Sequence, residues 1–291
     1  MPRLQTAHEV EVWEGRLPPT PGELVRHAAD AEGLLTLLTD RVDADLIAAC
    51  PRLRTISNYA VGYDNIDLAA ARRRGITVGN TPDVLTDATA DLTFALLLAA
   101  ARKLPEAIRA VEEGDWLTWE PARYLGAAVH GATLGVIGMG RIGHAVARRA
   151  EGFGMRVIGA GPGDSIDELL AESNFVSLHA PLTPATHHII DADALGRMRS
   201  TAILINTARG GLVDQVALRA ALEQGAIAGA ALDVTDPEPL RPDDPLLRAP
   251  NLLVTPHIGS ATRAARERMA ELAVENLLAG LTGRPLPHQA N

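Results

Sequence analysis

A chain of 291 residues, 47% hydrophobic and 22% charged, has material for two packed domains and excludes a disordered or fibrous class. A formal net charge of −9 speaks against a broad phosphate-binding surface, so nucleic acid is not an expected partner. The one cysteine, Cys50, excludes an intrachain disulfide, suits a reducing cytoplasm and reads as a small buried apolar residue. The opening "MPRLQTAHEV" lacks the basic region and apolar run of a signal peptide. To about residue 80, strand-like runs ("VEVWEG", "GLLTLLT", "LRTISNYAVG", "ITVGN") alternate with helical stretches ("RVDADLIAAC", "IDLAAARRRG"), which predicts a parallel sheet covered by helices. The stretch from "TPDVLTDATA" to "EEGDW" predicts a long helical segment interrupted at Pro105. Its apolar run "LTFALLLAAA" (92–101) is too short to span a bilayer, and no membrane partner is expected. From "GATLGVIGMG" the strand–helix rhythm resumes and continues to "NLLVTPHIG". The last stretch, "SATRAARERMAELAVENLLAGLTG", reads as an amphipathic helix with Gly280 and Gly283 as stop signals. The expected fold is α/β, with two Rossmann-like or flavodoxin-like lobes of parallel sheet and an active site in the cleft between them.

Gly138, Gly140 and Gly143 form a G-x-G-x-x-G pattern between the apolar run Thr133 to Ile137 and a helix-periodic segment. The pattern alone is weak in a glycine-rich chain, and an ordinary βα turn would also account for it. The strand before it and the helix after it favour a dinucleotide turn, with the helix N-terminus facing a pyrophosphate. The same motif calls for a carboxylate at the end of the next strand, "MRVIGAGPG", to hold a ribose hydroxyl. Gly161 and Pro162 stand there, no acid precedes Asp164, and no arginine is adjacent. NAD against NADP is therefore open, with the missing acid tilting towards NADP tolerance.

In an open parallel sheet, ligands gather beyond the carboxyl ends of the strands. Arg209 follows the run "AILINTA", Asp233 ends "IAGAALDV" with Glu238 close behind it, and His257 follows "NLLVTP". Singly they read as a surface arginine, a loop acid and a core histidine. Together at one sheet edge they make a chemical set. A guanidinium grips a small carboxylate bidentately, and an imidazole held by a carboxylate can hand a proton to a developing alkoxide. The implied ligand is a small 2-oxo or 2-hydroxy acid, with a nicotinamide supplying or accepting hydride. The adjacent His187 and His188 read as lying on an extended strand with opposed side chains, without a cysteine or acid cluster nearby, so no metal site is expected.

"GVIGMGRIG", "ILINTARGGLVD", "ALDVTDPEPL" and "TPHIGSAT", in this order and spacing, resemble the D-isomer-specific 2-hydroxyacid dehydrogenases over nearly the whole chain. "ISNYAVGYDNID", "VGNTPDVLTDATA", "RKLPEAI" and "LTPAT" resemble the glyoxylate/hydroxypyruvate reductase branch in particular. The resemblance implies that Arg209 binds substrate, Glu238 supports the base and His257 is the general acid/base. It implies backbone amides from Val61 and Gly62 to the substrate carboxylate, Arg141 and Ile142 along the pyrophosphate, and Asp233 facing the nicotinamide amide. Thr207, Ala208 and Gly259 would line the cofactor, NAD or NADP. A homodimer is implied, with residues 104–131 as the dimerisation segment and Trp119 reaching the neighbouring site or simply packing at the interface. The lobes then read as residues 1–80 with the C-terminal helix 263–291 for substrate, and residues 81–262 for the dinucleotide. Two departures stand out: only a helix remnant precedes "VEVWEG", and "AGPGDS" replaces a longer stretch after "MRVIG". Phosphoglycerate-type or other D-2-hydroxyacid chemistry, or a dinucleotide-sensing binding protein, remain the alternatives.

Overall fold

The computed structural model describes residues 2–291 and comprises two compact units, Met1–Leu85 with Thr262–Asn291, and Thr86–Ala261. In the first unit the elements are α1 (Pro2–Gln5), α2 (Pro21–Ala28), β1 (Gly33–Thr36), α3 (Ala44–Ala49), β2 (Thr55–Asn58), α4 (Leu68–Arg73) and β3 (Thr77–Gly79). Local chemistry starts the helices. Thr20 and Glu23 form a capping box on α2, and Asp43 and Asp67 accept from backbone amides at the starts of α3 and α4. The strands are parallel in the order β1-β2-β3 around Ile47, Ile56, Ile76 and Val78, all at most 1% exposed.

"VEVWEG" is not a strand. Within its sheet β1 pairs with β2, and Val12 and Trp13 remain 50% and 39% exposed. Local contacts replace a ladder: Trp13 Nε1 donates to the Leu17 carbonyl at 2.8 Å, and Glu11 pairs with His27. Alternation supplies an apolar face, but without a neighbouring strand the backbone gains nothing over water.

The second unit begins with α5 (Thr86–Ala101) and α6 (Leu104–Glu112). The break is at Lys103, in left-handed conformation (φ 51°), and Pro105 lies in the first turn of α6. The proline therefore opens the second helix, where its missing N–H removes no helical bond. There follow β4 (Thr133–Ile137), α7 (Arg141–Glu151), β5 (Arg156–Ala160), α8 (Asp167–Glu172), β6 (Phe175–Leu178), α9 (Ala192–Arg197), β7 (Ile203–Asn206), α10 (Gln215–Glu223), β8 (Gly229–Leu232) and β9 (Leu252–Val254). All six strands are parallel, in the order β5-β4-β6-β7-β8-β9. Ile203 and Ile205 pack into one apolar cluster with Leu97, Val146 and Phe175, while Leu204 packs into the other with Leu170, Leu195 and Leu218. Burial on both faces explains why this strand reads as an unbroken apolar run. β5 is the sheet edge, where the stretch after it is short.

The chain returns to the first unit with α11 (Arg263–Leu281). Gly280 does not stop this helix: it is buried inside it, and a Cβ there would collide with Thr55. Gly283, at φ 70°, ends it. The helix does not run to 291. Residues 288–291 lie along the outer edge of β3, with Ala290 N donating to the Val78 carbonyl and Asn291 Nδ2 to that of Ile76, each at 2.7 Å. An otherwise open edge is thereby covered. Among the described residues no helix is long and apolar enough to cross a membrane.

Candidate active site

The glycine motif occupies the turn between β4 and α7. Gly138 has φ 99°, and a Cβ there would run into the backbone of His179 and Ala180 beyond β6. A Cβ at Gly143 would strike the Gly138 carbonyl, so this glycine lets helix and strand pack closely. Gly140 is the N-cap of α7, offers no side-chain cap, and has open space where a side chain would be. The first-turn amides of an 11-residue helix, including those of Arg141 and Ile142, thus follow a glycine that puts no side chain in front of them. Two constrained glycines, Gly138 and Gly143, with Gly140 facing open space between them, fit a pyrophosphate-bearing dinucleotide. Beside the turn, in the loop after the adjacent edge strand, Asp164 folds back so that its Oδ2 accepts from Gly161 N at 2.7 Å.

β7, β8 and β9 are neighbours in register, with Asn206 opposite Leu232 and Leu232 opposite Val254. Arg209, Asp233 and His257 follow these three strand ends, so the sheet brings their backbones to one edge. Strand spacing puts the outer two about 10 Å apart. Arg209 is half-buried, with one guanidinium nitrogen on the Ala208 carbonyl at 2.8 Å. Asn206, fully buried, braces its turn by donating to the Arg209 carbonyl and accepting from Ala208 N. A Cβ at Gly210 would collide with the Thr235 carbonyl, so only glycine lets the loops after β7 and β8 approach this closely.

His257 Nδ1 meets Glu238 Oε1 at 2.5 Å, with the side chains 23% and 31% exposed. This pair is held, yet accessible to a small ligand. His257 has φ 53°, an unusual conformation for a residue with a Cβ. Asp233, 1% exposed, stabilises it. Its Oδ1 accepts from Thr255 Oγ1 at 2.6 Å and Ile258 N at 2.8 Å, and its Oδ2 from Gly259 N at 2.7 Å. The His257 amide in turn donates to the Asp233 carbonyl at 2.9 Å. One buried carboxylate therefore clamps the loop on both sides of the imidazole.

The model of the D-isomer-specific 2-hydroxyacid dehydrogenase NAD-binding domain matches residues 94–259, which contain every residue of this cluster. The chain belongs to that family. It is 49% identical to a glyoxylate reductase of Korarchaeum cryptofilum, over 99% of this chain and 91% of the relative. A crystal structure of a Thermus thermophilus protein superposes with TM-score 0.94 at 50% identity, covering 100% of this chain and 96% of that one. The NADPH-dependent glyoxylate/hydroxypyruvate reductase of Sinorhizobium meliloti, crystallised with NADP and malonate, has TM-score 0.82 at 34% identity, covering 91% and 85%.

Elsewhere in this dehydrogenase, the carbonyls of Val61 and Gly62 accept from the amides of Asn80 and Asn58, each at 2.8 Å, which fixes the peptide planes of that loop. Trp119 follows α6 and is 80% exposed. The His187–His188 pair is not extended. It lies in a turn closed by Thr183 and Thr186, with His188 at φ 52° and the rings stacked at 3.9 Å.

Sequence reasoning passed over the threonines of α5. Thr93 Oγ1 lies 2.9 Å from Thr207 Oγ1, and Thr89 Oγ1 donates to the Gly259 carbonyl at 3.3 Å. Both are at most 4% exposed, so they tie a core helix to two loops of the site. The available signal was a helical spacing of hydroxyls inside an apolar run, "TDATADLTFALLL".

Proposed function

We propose that this dehydrogenase reduces a small 2-oxo acid, glyoxylate or hydroxypyruvate, to the D-2-hydroxy acid with NADH or NADPH. The 2.5 Å contact between His257 and Glu238, at the sheet edge that carries the dinucleotide turn, is the observation on which this reading rests. When bound, the nicotinamide supplies the hydride that adds to the 2-carbon. His257 donates the proton that the reduced oxygen needs, and Glu238 orients the imidazole. Arg209 grips the substrate carboxylate and polarises the neighbouring carbonyl, a task for a planar fork of donors.

The turn at Gly138, Gly140 and Gly143, with Arg141 and Ile142, holds the pyrophosphate, while Thr207, Ala208 and Gly259 line the cofactor. Asp233 has three donors on a group that accepts about four, which leaves one position for the nicotinamide amide. The working form is a cytoplasmic homodimer joined through residues 104–131. Exposed Ile108, Val111, Trp116, Leu117 and Trp119 support that interface, as each is at least 56% exposed. Trp119 is assigned to the neighbouring protomer's substrate site.

Nicotinamide oxidation across glyoxylate, hydroxypyruvate, pyruvate and phosphohydroxypyruvate tests the assignment. The highest kcat/KM is expected for one of the first two. Turnover of none, or preference for phosphohydroxypyruvate, would overturn it.

A further inference from the structure

The geometry points to Asp164 as the residue that reads the adenosine ribose and makes the site select NADH over NADPH. This rests on the dinucleotide reading above. β4 and β5 are paired with Ile137 opposite Ala160, and Gly138 N donates to the Ala160 carbonyl at 2.8 Å. The residues just past Ala160 therefore stand beside the glycine turn, where the dinucleotide fold places its ribose acid. The chain has Gly161 and Pro162 there, and the acid is displaced to position 164.

The fold brings it back. Gly161 to Asp164 form a tight turn, with Gly163 at φ 86° and Asp164 N donating to the Gly161 carbonyl at 3.3 Å. Proline second and a positive-φ glycine third are what a type II turn demands. The turn reverses the chain, and Asp164 Oδ2 ends 2.7 Å from Gly161 N and 3.4 Å from where a Cβ on Gly161 would lie. The carboxylate thus stands at the end of the strand, much as if it had grown from residue 161. The short connection to α8 is what allows this.

The chemistry then discriminates. A carboxylate oxygen held by Gly161 N leaves further lone pairs to accept from both hydroxyls of a ribose diol. NADPH brings a 2′-phosphate of nearly two negative charges to the same place, without a hydroxyl to donate. Among the described residues no cation lies within ion-pair distance of Asp164 to offset that repulsion. The missing acid of the linear motif, which tilted the sequence reading towards NADP, is present in three dimensions.

Equilibrium titration followed by cofactor fluorescence tests this. The wild-type protein is expected to bind NADH at least tenfold more tightly than NADPH, with NADPH binding strengthening as salt is raised. Asp164→Asn keeps an acceptor for Gly161 N but removes the charge, and should bring the Kd ratio within threefold. Asp164→Ala should do the same and also weaken NADH binding. Circular dichroism confirms that the variants fold. Equal wild-type affinities, an NADPH preference, or an unchanged ratio in Asp164→Asn would overturn the assignment while leaving the dinucleotide site intact. Binding of neither cofactor would overturn both.

Discussion

His257 combines a left-handed backbone, a carboxylate partner and a loop gripped by a second, buried carboxylate. Strain of this kind, of order 1–3 kcal/mol, persists only where surrounding bonds enforce it, and here Asp233 does so. His257→Gln should lower kcat about 10²- to 10⁴-fold with cofactor Kd little changed, which is what the proposed proton-donor role requires. Glu238→Gln should lower kcat by a smaller factor, because the imidazole remains. Steady-state rates and fluorescence titration on both variants check the pair. His179 behaves differently: burial pushes it down to about 3, its Nε2 meets Ser177 Oγ at 2.8 Å, and its Nδ1 has no partner among the described residues. A histidine titrating near 6.5 when unfolded takes up its proton only in the unfolded state between those two values. Its contribution to stability is complete above about pH 6.5 and is lost as pH falls towards 3. The decline in Tm from pH 7 to pH 4 should accordingly be shallower in His179→Asn, measured by thermal denaturation across pH.

At the scale of elements, each strand end delivers one group, and the parallel order puts three such ends side by side. The unbroken apolar run of β7 and the glycine turn after β4 were legible because each satisfies a local requirement. "VEVWEG" was misread because strand formation needs a partner that local alternation cannot reveal. The covering of β3 by residues 288–291 was likewise hidden, since it pairs residues about 210 positions apart. Removing residues 288–291 deletes those edge bonds and should lower stability by roughly 2–4 kcal/mol, at about 1 kcal/mol per buried hydrogen bond. Urea denaturation of the truncated and full chains measures it.

On the whole-molecule scale, the apolar clusters respect the division into two units. Both clusters of the six-stranded sheet draw only on residues of Thr86–Ala261, and the cluster around Ile56 only on the other unit. A unit that contains its whole core satisfies the condition for independent folding. Residues 86–261 expressed alone should give a cooperative thermal transition. A non-cooperative melt by circular dichroism would show that the core needs the remaining chain.

By itself the sequence determined the βα rhythm and the glycine turn, because each is a local pattern with a local physical cause. Only the tertiary structure decided that Glu238 and His257 meet at 2.5 Å, that Asp233 clamps the loop, and that Asp164 returns to the end of β5. Those are contacts between chain segments, and their geometry depends on strand order, register and loop closure, which linear spacing does not contain.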